Sequence, residues 1–131
     1  MKGILTMHYH QDIVQAVREN EAFRRVVATA EHAQLVFMSL KPGEEIGLET
    51  HTLDQIIVIV DGSGESILDG TVAAIAPNHC VYVPAGIAHN FKNTGSAPLK
   101  LWTVYAPPEH KDGTVHQTKA EAEADEHDHA S

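Results

Sequence analysis

From Gln34 to Tyr105 the chain is written in short apolar runs broken by turn residues every eight to twelve positions, the texture of an all-β sandwich or barrel. The runs predict eight strands, near 34–40, 46–51, 55–60, 64–68, 71–75, 79–83, 88–93 and 98–105. Asp69-Gly70 between Ile67-Leu68 and Thr71-Val72 predicts a two-residue hairpin turn, because both central residues tolerate positive φ. No stretch between the runs is long enough for a helical crossover, so the sheets are expected to be antiparallel. Ahead of them, Asp12 can cap a short helix over Ile13–Arg18, with Gln15 as the return partner of a capping box.

Within strands, parity assigns faces. Lys100 marks one parity of the last strand as solvent, which turns Leu99, Leu101, Thr103 and Tyr105 inward and Trp102 outward. The run Ile56–Val60 is apolar on both faces, so its outer face needs a cover: the segment around Ile4, Leu5 and Met7, or a second copy of the chain. Beyond Ala106-Pro107-Pro108 the packing pattern fades. A single domain over 1–117 followed by an acidic tail over 118–131 is expected, the tail being either disordered or a transient helix. His127 and His129 alternate with Asp128 there and could chelate a metal weakly, although a solvated acidic terminus is the plainer reading.

Composition narrows the function. The chain has 131 residues, one domain's worth, and a net charge of −9, which argues against nucleic acid and anionic lipid as partners. Its longest apolar run is far too short to span a bilayer. A lone cysteine, Cys80, allows neither an internal disulfide nor a thiolate cluster; it fits a small buried hydrophobe, and the chain is expected to be cytoplasmic. Ten histidines in so short a chain make metal binding the first chemistry to test.

Spacing supports it. Glu49 and His51 share a strand face and can reach one ion; a short connection brings the Gln55 amide oxygen beside them. The Pro84-Ala85-Gly86 turn aims His89 toward the same interior. Together they form a two-nitrogen, two-oxygen set that leaves open positions on an octahedral ion. His32, His79, His110 and His116 fit ordinary polar positions on strands and loops.

These two stretches resemble the paired motifs of the cupin superfamily, G-x5-H-x-H-x3,4-E-x6-G and G-x5-P-x-G-x2-H-x3-N. Gly43, Glu49, His51, Gln55 and Gly62 match the first spacing, and Pro84, Gly86, His89 and Asn93 the second. Three residues depart from the pattern: Glu49 replaces the first histidine, Gln55 the glutamate, and Asn78 the glycine that opens the second motif. The carboxylate of the usual set is thus moved, not lost. Phe23–Val26, Gln34–Val36, Leu40–Gly47 and Tyr105–His110 add a resemblance to small single-domain "cupin 2 conserved barrel" proteins, the mannose-6-phosphate isomerase-like group. The resemblance implies a double-stranded β-helix, or jelly roll, holding a divalent ion inside one end, and a homodimer. Manganese or iron suits the oxygen-rich set best, with zinc or nickel behind them.

Three functions follow as expectations. One is a metal-dependent enzyme of the dioxygenase type acting on a small molecule, with Phe37, Tyr82 or Phe91 lining the cavity. Another is a sugar or sugar-phosphate isomerase, disfavoured by the few cations of the barrel region and aided by Arg24 and Arg25 only if the N-terminal segment folds over the mouth. The last is a non-enzymatic module that binds a small molecule or a metal.

Overall fold

A computed structural model describes residues 8–125. Helix α1 (Ile13–Glu19) is followed by strands β1 (Arg24–Thr29), β2 (Gln34–Leu40), β3 (Asp54–Asp61), β4 (Gly64–Leu68), β5 (Thr71–Ile75), β6 (Cys80–Val83), β7 (His89–Asn93), β8 (Leu99–Ala106) and β9 (Val115–His116), and by helix α2 (Lys119–Ala124). A six-stranded sheet in the order β6-β3-β8-β2-β1-β9 faces a three-stranded sheet in the order β5-β4-β7. Every pairing is antiparallel. This is the expected rolled all-β architecture with a short N-terminal helix. No helix among the described residues is long and apolar enough to cross a membrane.

The main core lies between the sheets and is filled by alternate residues of each strand, among them Met38, Ile57, Ile59, Phe91, Leu99 and Leu101. In β8 the parity marked by Lys100 holds throughout: Leu99, Leu101, Thr103 and Tyr105 are buried. A second, smaller cluster sits on the outside of the large sheet, where Val17 of α1 packs on Phe37 and Val60, with Trp102 at its margin. The outer face of β3 thus receives its cover in part from α1, pinned there by Arg18 Nε donating to both Asp61 carboxylate oxygens at 3.3 and 3.0 Å. Ile4, Leu5 and Met7 lie outside the described residues. Asp12 caps α1 by accepting from the Gln15 backbone N–H at 3.1 Å, but the capping box is not closed: the Gln15 amide reaches forward to Glu19 at 3.2 Å.

The Asp69-Gly70 turn is as expected, with φ of 50° and 84°. The strand expected over 46–51 is absent. The segment runs beside β7 through isolated bridges, Glu45 with Lys92 and Glu49 with His89. Gly47 interrupts it: at φ +112° its N–H turns to the Asn90 side-chain oxygen, at 2.8 Å, instead of to a strand. Cys80 is exposed, which corrects the expectation of a buried thiol, because its side of β6 faces away from the core at a sheet edge.

Two strands escaped the sequence reading. β1 alternates weakly because Arg24 occupies an inward position, and β9 is only two residues long. Residues 119–124 adopt the helical alternative, with Thr118 accepting from the Glu121 N–H at 3.2 Å, and Ala122 touches the main core. His127 and His129 lie outside the described residues.

Candidate metal centre

β7 and the irregular segment beside it place the site. Glu49 and His89 exchange backbone hydrogen bonds, Glu49 N to His89 O and His89 N to Glu49 O, both 2.9 Å. That pair of hydrogen bonds locks the two residues opposite each other. His51 follows two residues later, and its carbonyl accepts from Gly86 N at 2.8 Å, which ties it to the turn preceding His89. One ligand atom from each of Glu49, His51 and His89 lies within 4.8 Å of the others, so the three could hold a metal ion.

The imidazoles are oriented for it. His89 Nδ1 lies 2.8 Å from the Ile87 carbonyl, which fixes the proton on Nδ1 and leaves Nε2 as a lone pair. His89 Nε2 and His51 Nε2 are both buried without a hydrogen-bond partner. Buried ring nitrogens left without a partner are costly unless something fills them, and a cation does so when they are unprotonated. On its other side His51 presents Nδ1 to Glu109 Oε2 at 3.8 Å.

Gln55 faces the same interior. It is buried on β3, opposite Tyr105 of β8, whose ring stands edge-on to His51 with centroids 5.9 Å apart. Its amide nitrogen donates to Thr103 Oγ1 at 3.0 Å, and that hydroxyl donates to the Ile56 carbonyl at 2.8 Å. The chain of bonds fixes which end of the amide is which, leaving Gln55 Oε1 buried without a partner. Thr103→Val is expected to cost about 1–3 kcal/mol of stability by stranding the buried amide nitrogen. Thermal unfolding of the metal-free protein checks this, with Thr103→Ser as the variant that restores it.

Glu49 and His51 face each other at 3.6 Å, an ion-pair distance rather than a hydrogen bond. Burial alone would raise the Glu49 pKa, yet it is held below 4.5 because the polar contact with His51 and the charges of His51, Arg24 and His89 together outweigh burial. Contact with Glu49 raises His51 above 6.5 against the opposing effect of burial, with the Glu49 and Glu109 charges adding to the rise. In the ion-free protein the His51 contribution to stability is complete below its unfolded-state pKa and fades as pH rises through the raised folded value. The Glu49 contribution is complete above its own unfolded-state pKa and fades as pH falls through the lowered folded value. Both are therefore in force between the ordinary values of 4.5 and 6.5. An ion held by His51 would displace its proton, so its affinity is expected to rise about tenfold per pH unit below the raised His51 pKa, with about one proton released. Calorimetric Mn²⁺ titrations at pH 6, in buffers of differing ionisation enthalpy, read that proton directly.

Of the expected cavity aromatics, Phe91 is buried beside His89, with ring centroids 6.4 Å apart. The other two are corrected. Phe37 belongs to the outer cluster under α1, and Tyr82 is exposed on the edge strand β6. Tyr105 takes their place. Glu109 was missed, although Tyr105–His110 stands out in the sequence. Its position depends on Gln34, whose amide donates to the His110 carbonyl at 2.7 Å and accepts from His110 N at 3.0 Å, holding the loop against the sheet. His110 and His116 are buried, while His79 is exposed.

Known proteins agree with this architecture. The Cupin domain model matches residues 36–105. An uncharacterised Bacillus subtilis protein, YrkC, is 43% identical over 122 residues, spanning 88% of this chain and 66% of the relative, so the chain covers about two thirds of that protein's length. The crystal structure of BH2720 from Bacillus halodurans superposes with a TM-score of 0.89 at 37% identity, covering 93% of this chain and all of the other. A predicted oxalate decarboxylase from Thermotoga maritima superposes with a TM-score of 0.57 at 25% identity, over 60% of this chain and 69% of the other. The chain belongs to the cupin family.

Proposed function

We propose that this cupin is a mononuclear metal-dependent enzyme that acts on a small molecule, with Glu49, His51 and His89 as the ligands of the ion and Gln55 as a neutral fourth donor. The observation that carries the reading is the convergence of Glu49 with two buried imidazole nitrogens that lack any hydrogen-bond partner. Two histidines and one carboxylate are the donor set of non-haem iron oxygenases, and manganese or iron suits it. A bound ion supplies Lewis acidity and open coordination positions.

The chain's own residues do the rest. The Ile87 carbonyl and the Glu109 carboxylate aim the two imidazoles, Thr103 aims Gln55, and the rings of Tyr105 and Phe91 keep water from the inner side of the cluster. Glu49, with 36% of its side chain exposed, marks the side from which a small molecule enters. Reaction with dioxygen is the first chemistry to test: oxygen uptake by the Fe²⁺-loaded protein with diketones or catechols, expected to vanish in His89→Ala. The likeness to a predicted oxalate decarboxylase also favours a small-molecule enzyme.

An isomerase is the second reading, favoured by one observation: Arg24 lies on the inner face of β1, inside the barrel, so an anionic substrate has a cation to meet. Aldose–ketose interconversion by the Mn²⁺-loaded protein tests it. Metal and ligand binding with neither activity would point instead to a non-enzymatic binding module.

A further inference from the structure

Arg24 is 7% exposed and, among the described residues, is the one buried lysine or arginine. Its strand position shares parity with Val26, and its partner across the sheet is Met38, both members of the main core, so the guanidinium enters the barrel interior. A buried cation is expensive unless it is paired. Part of the cost is met by neighbours: Nη1 lies 3.4 Å from His116 Nδ1, and His116 Nε2 lies 3.0 Å from Asp125 Oδ2. With the His116 proton on Nε2 facing the carboxylate, Nδ1 is free to accept from the arginine. The face of Phe23 lies 5.4 Å from the guanidinium carbon. Arg24 Nε, however, is buried with no hydrogen-bond partner.

Two observations connect that orphaned donor to the metal centre. The Arg24 charge acts on both Glu49 and His51. The other partnerless buried side-chain atoms include His51 Nε2, His89 Nε2 and Gln55 Oε1, which can accept, whereas Arg24 Nε is a donor. A cation alone satisfies the first three and repels the fourth. A cation together with an acidic oxygen satisfies all of them.

We propose that Arg24 binds the carboxylate of a small-molecule ligand whose remaining oxygen donors sit at the Glu49–His51–His89 cluster. The proposal rests on the metal-centre reading above and adds the class of ligand to it. A carboxylate fits better than a phosphate because one buried cation balances one negative charge, while Glu49 and Glu109 already line the cluster with carboxylates. His116 and Asp125 give β9 and the end of α2 a purpose in this arrangement: they hold the guanidinium from behind and leave its Nε–H forward.

The test uses the full chain loaded with Mn²⁺ and titrated calorimetrically with malonate, with its uncharged counterpart malonamide, and with inorganic phosphate. Wild type is expected to bind malonate in clear preference to the other two. Arg24→Gln is expected to retain one Mn²⁺ per chain and to bind malonate about ten- to a hundredfold more weakly, the range for losing a charge-assisted hydrogen bond, with Arg24→Lys in between. Wild type that takes up no Mn²⁺ overturns the metal-centre reading and the shared ligand with it. Loaded wild type that binds malonamide as well as malonate overturns the Arg24 assignment alone, without reliance on any variant folding. Loaded Arg24→Gln that binds malonate as tightly as wild type does the same. Preference for phosphate over malonate overturns the carboxylate.

Discussion

His51→Ala and His89→Ala are each expected to lose stoichiometric metal, as read by metal analysis of protein loaded with Mn²⁺ or Fe²⁺ and then desalted. Both imidazoles carry a buried, partnerless Nε2, and both lie with Glu49 in the cluster that could hold the ion. His89 has a further role: its backbone holds Glu49 through two 2.9 Å hydrogen bonds, but alanine keeps that backbone, so the loss in His89→Ala reports on the side chain alone. Glu49→Ala should retain less metal than Gln55→Ala. The first removes the only charge among the four donors, and the second removes a neutral amide oxygen. Gln55→Glu should bind the ion more tightly than wild type, because it adds a second carboxylate to the set. Equal metal content across all of these variants would remove the site.

The second large effect concerns the fold. Gly64 opens β4 directly opposite Asn93 of β7, and a Cβ built there would stand 2.0 Å from the Lys92 carbonyl oxygen. The obstacle is backbone in a paired strand, so it cannot turn aside as a side chain could. Gly64→Ala is expected to destabilise the protein by about 3 kcal/mol or more, at the upper end of overpacking costs, and to lower the thermal midpoint by on the order of 10 °C. The displaced strand carries His89, so metal affinity should fall with it. Circular dichroism melts of the metal-free protein separate the two: a midpoint within two or three degrees of wild type would mean that the β4–β7 contact is looser than described.

How much of this was legible in the sequence differs from element to element. Strands bounded by strong turns, such as β4 and β5 around Asp69-Gly70, were readable because φ preference and alternation agree there. The segment 46–51 was not, because alternation alone reads as a strand while Gly47 sends its N–H to Asn90, a contact 43 residues away that no local pattern encodes. Glu49, His51 and His89 carried their signal in spacing, whereas the parity shared by Glu49 and His51 assumed a strand that is absent. Arg24 and Glu109 carried neither a spacing nor a parity signal that placed them at the site. One looks like a break in a weak strand, and the other sits on a loop whose position is set by Gln34, 76 residues before His110. The inner and outer faces of β8 followed from Lys100 alone. The cover over Trp102 depended on where α1 docks, and parity is silent on that.

The proposed chemistry depends on one ion seated among two imidazoles and a carboxylate inside the barrel. Pulsed electron spin-echo spectroscopy of the Mn²⁺-loaded wild-type protein at one equivalent of metal tests it most directly, since coordinated imidazole nitrogens modulate the echo. The expected result is one ion per chain carrying the signature of two histidine nitrogens, reduced to one in His51→Ala or His89→Ala supplied with excess metal. Stoichiometric Mn²⁺ with no imidazole modulation, or the same two-nitrogen signature in both variants, would contradict it.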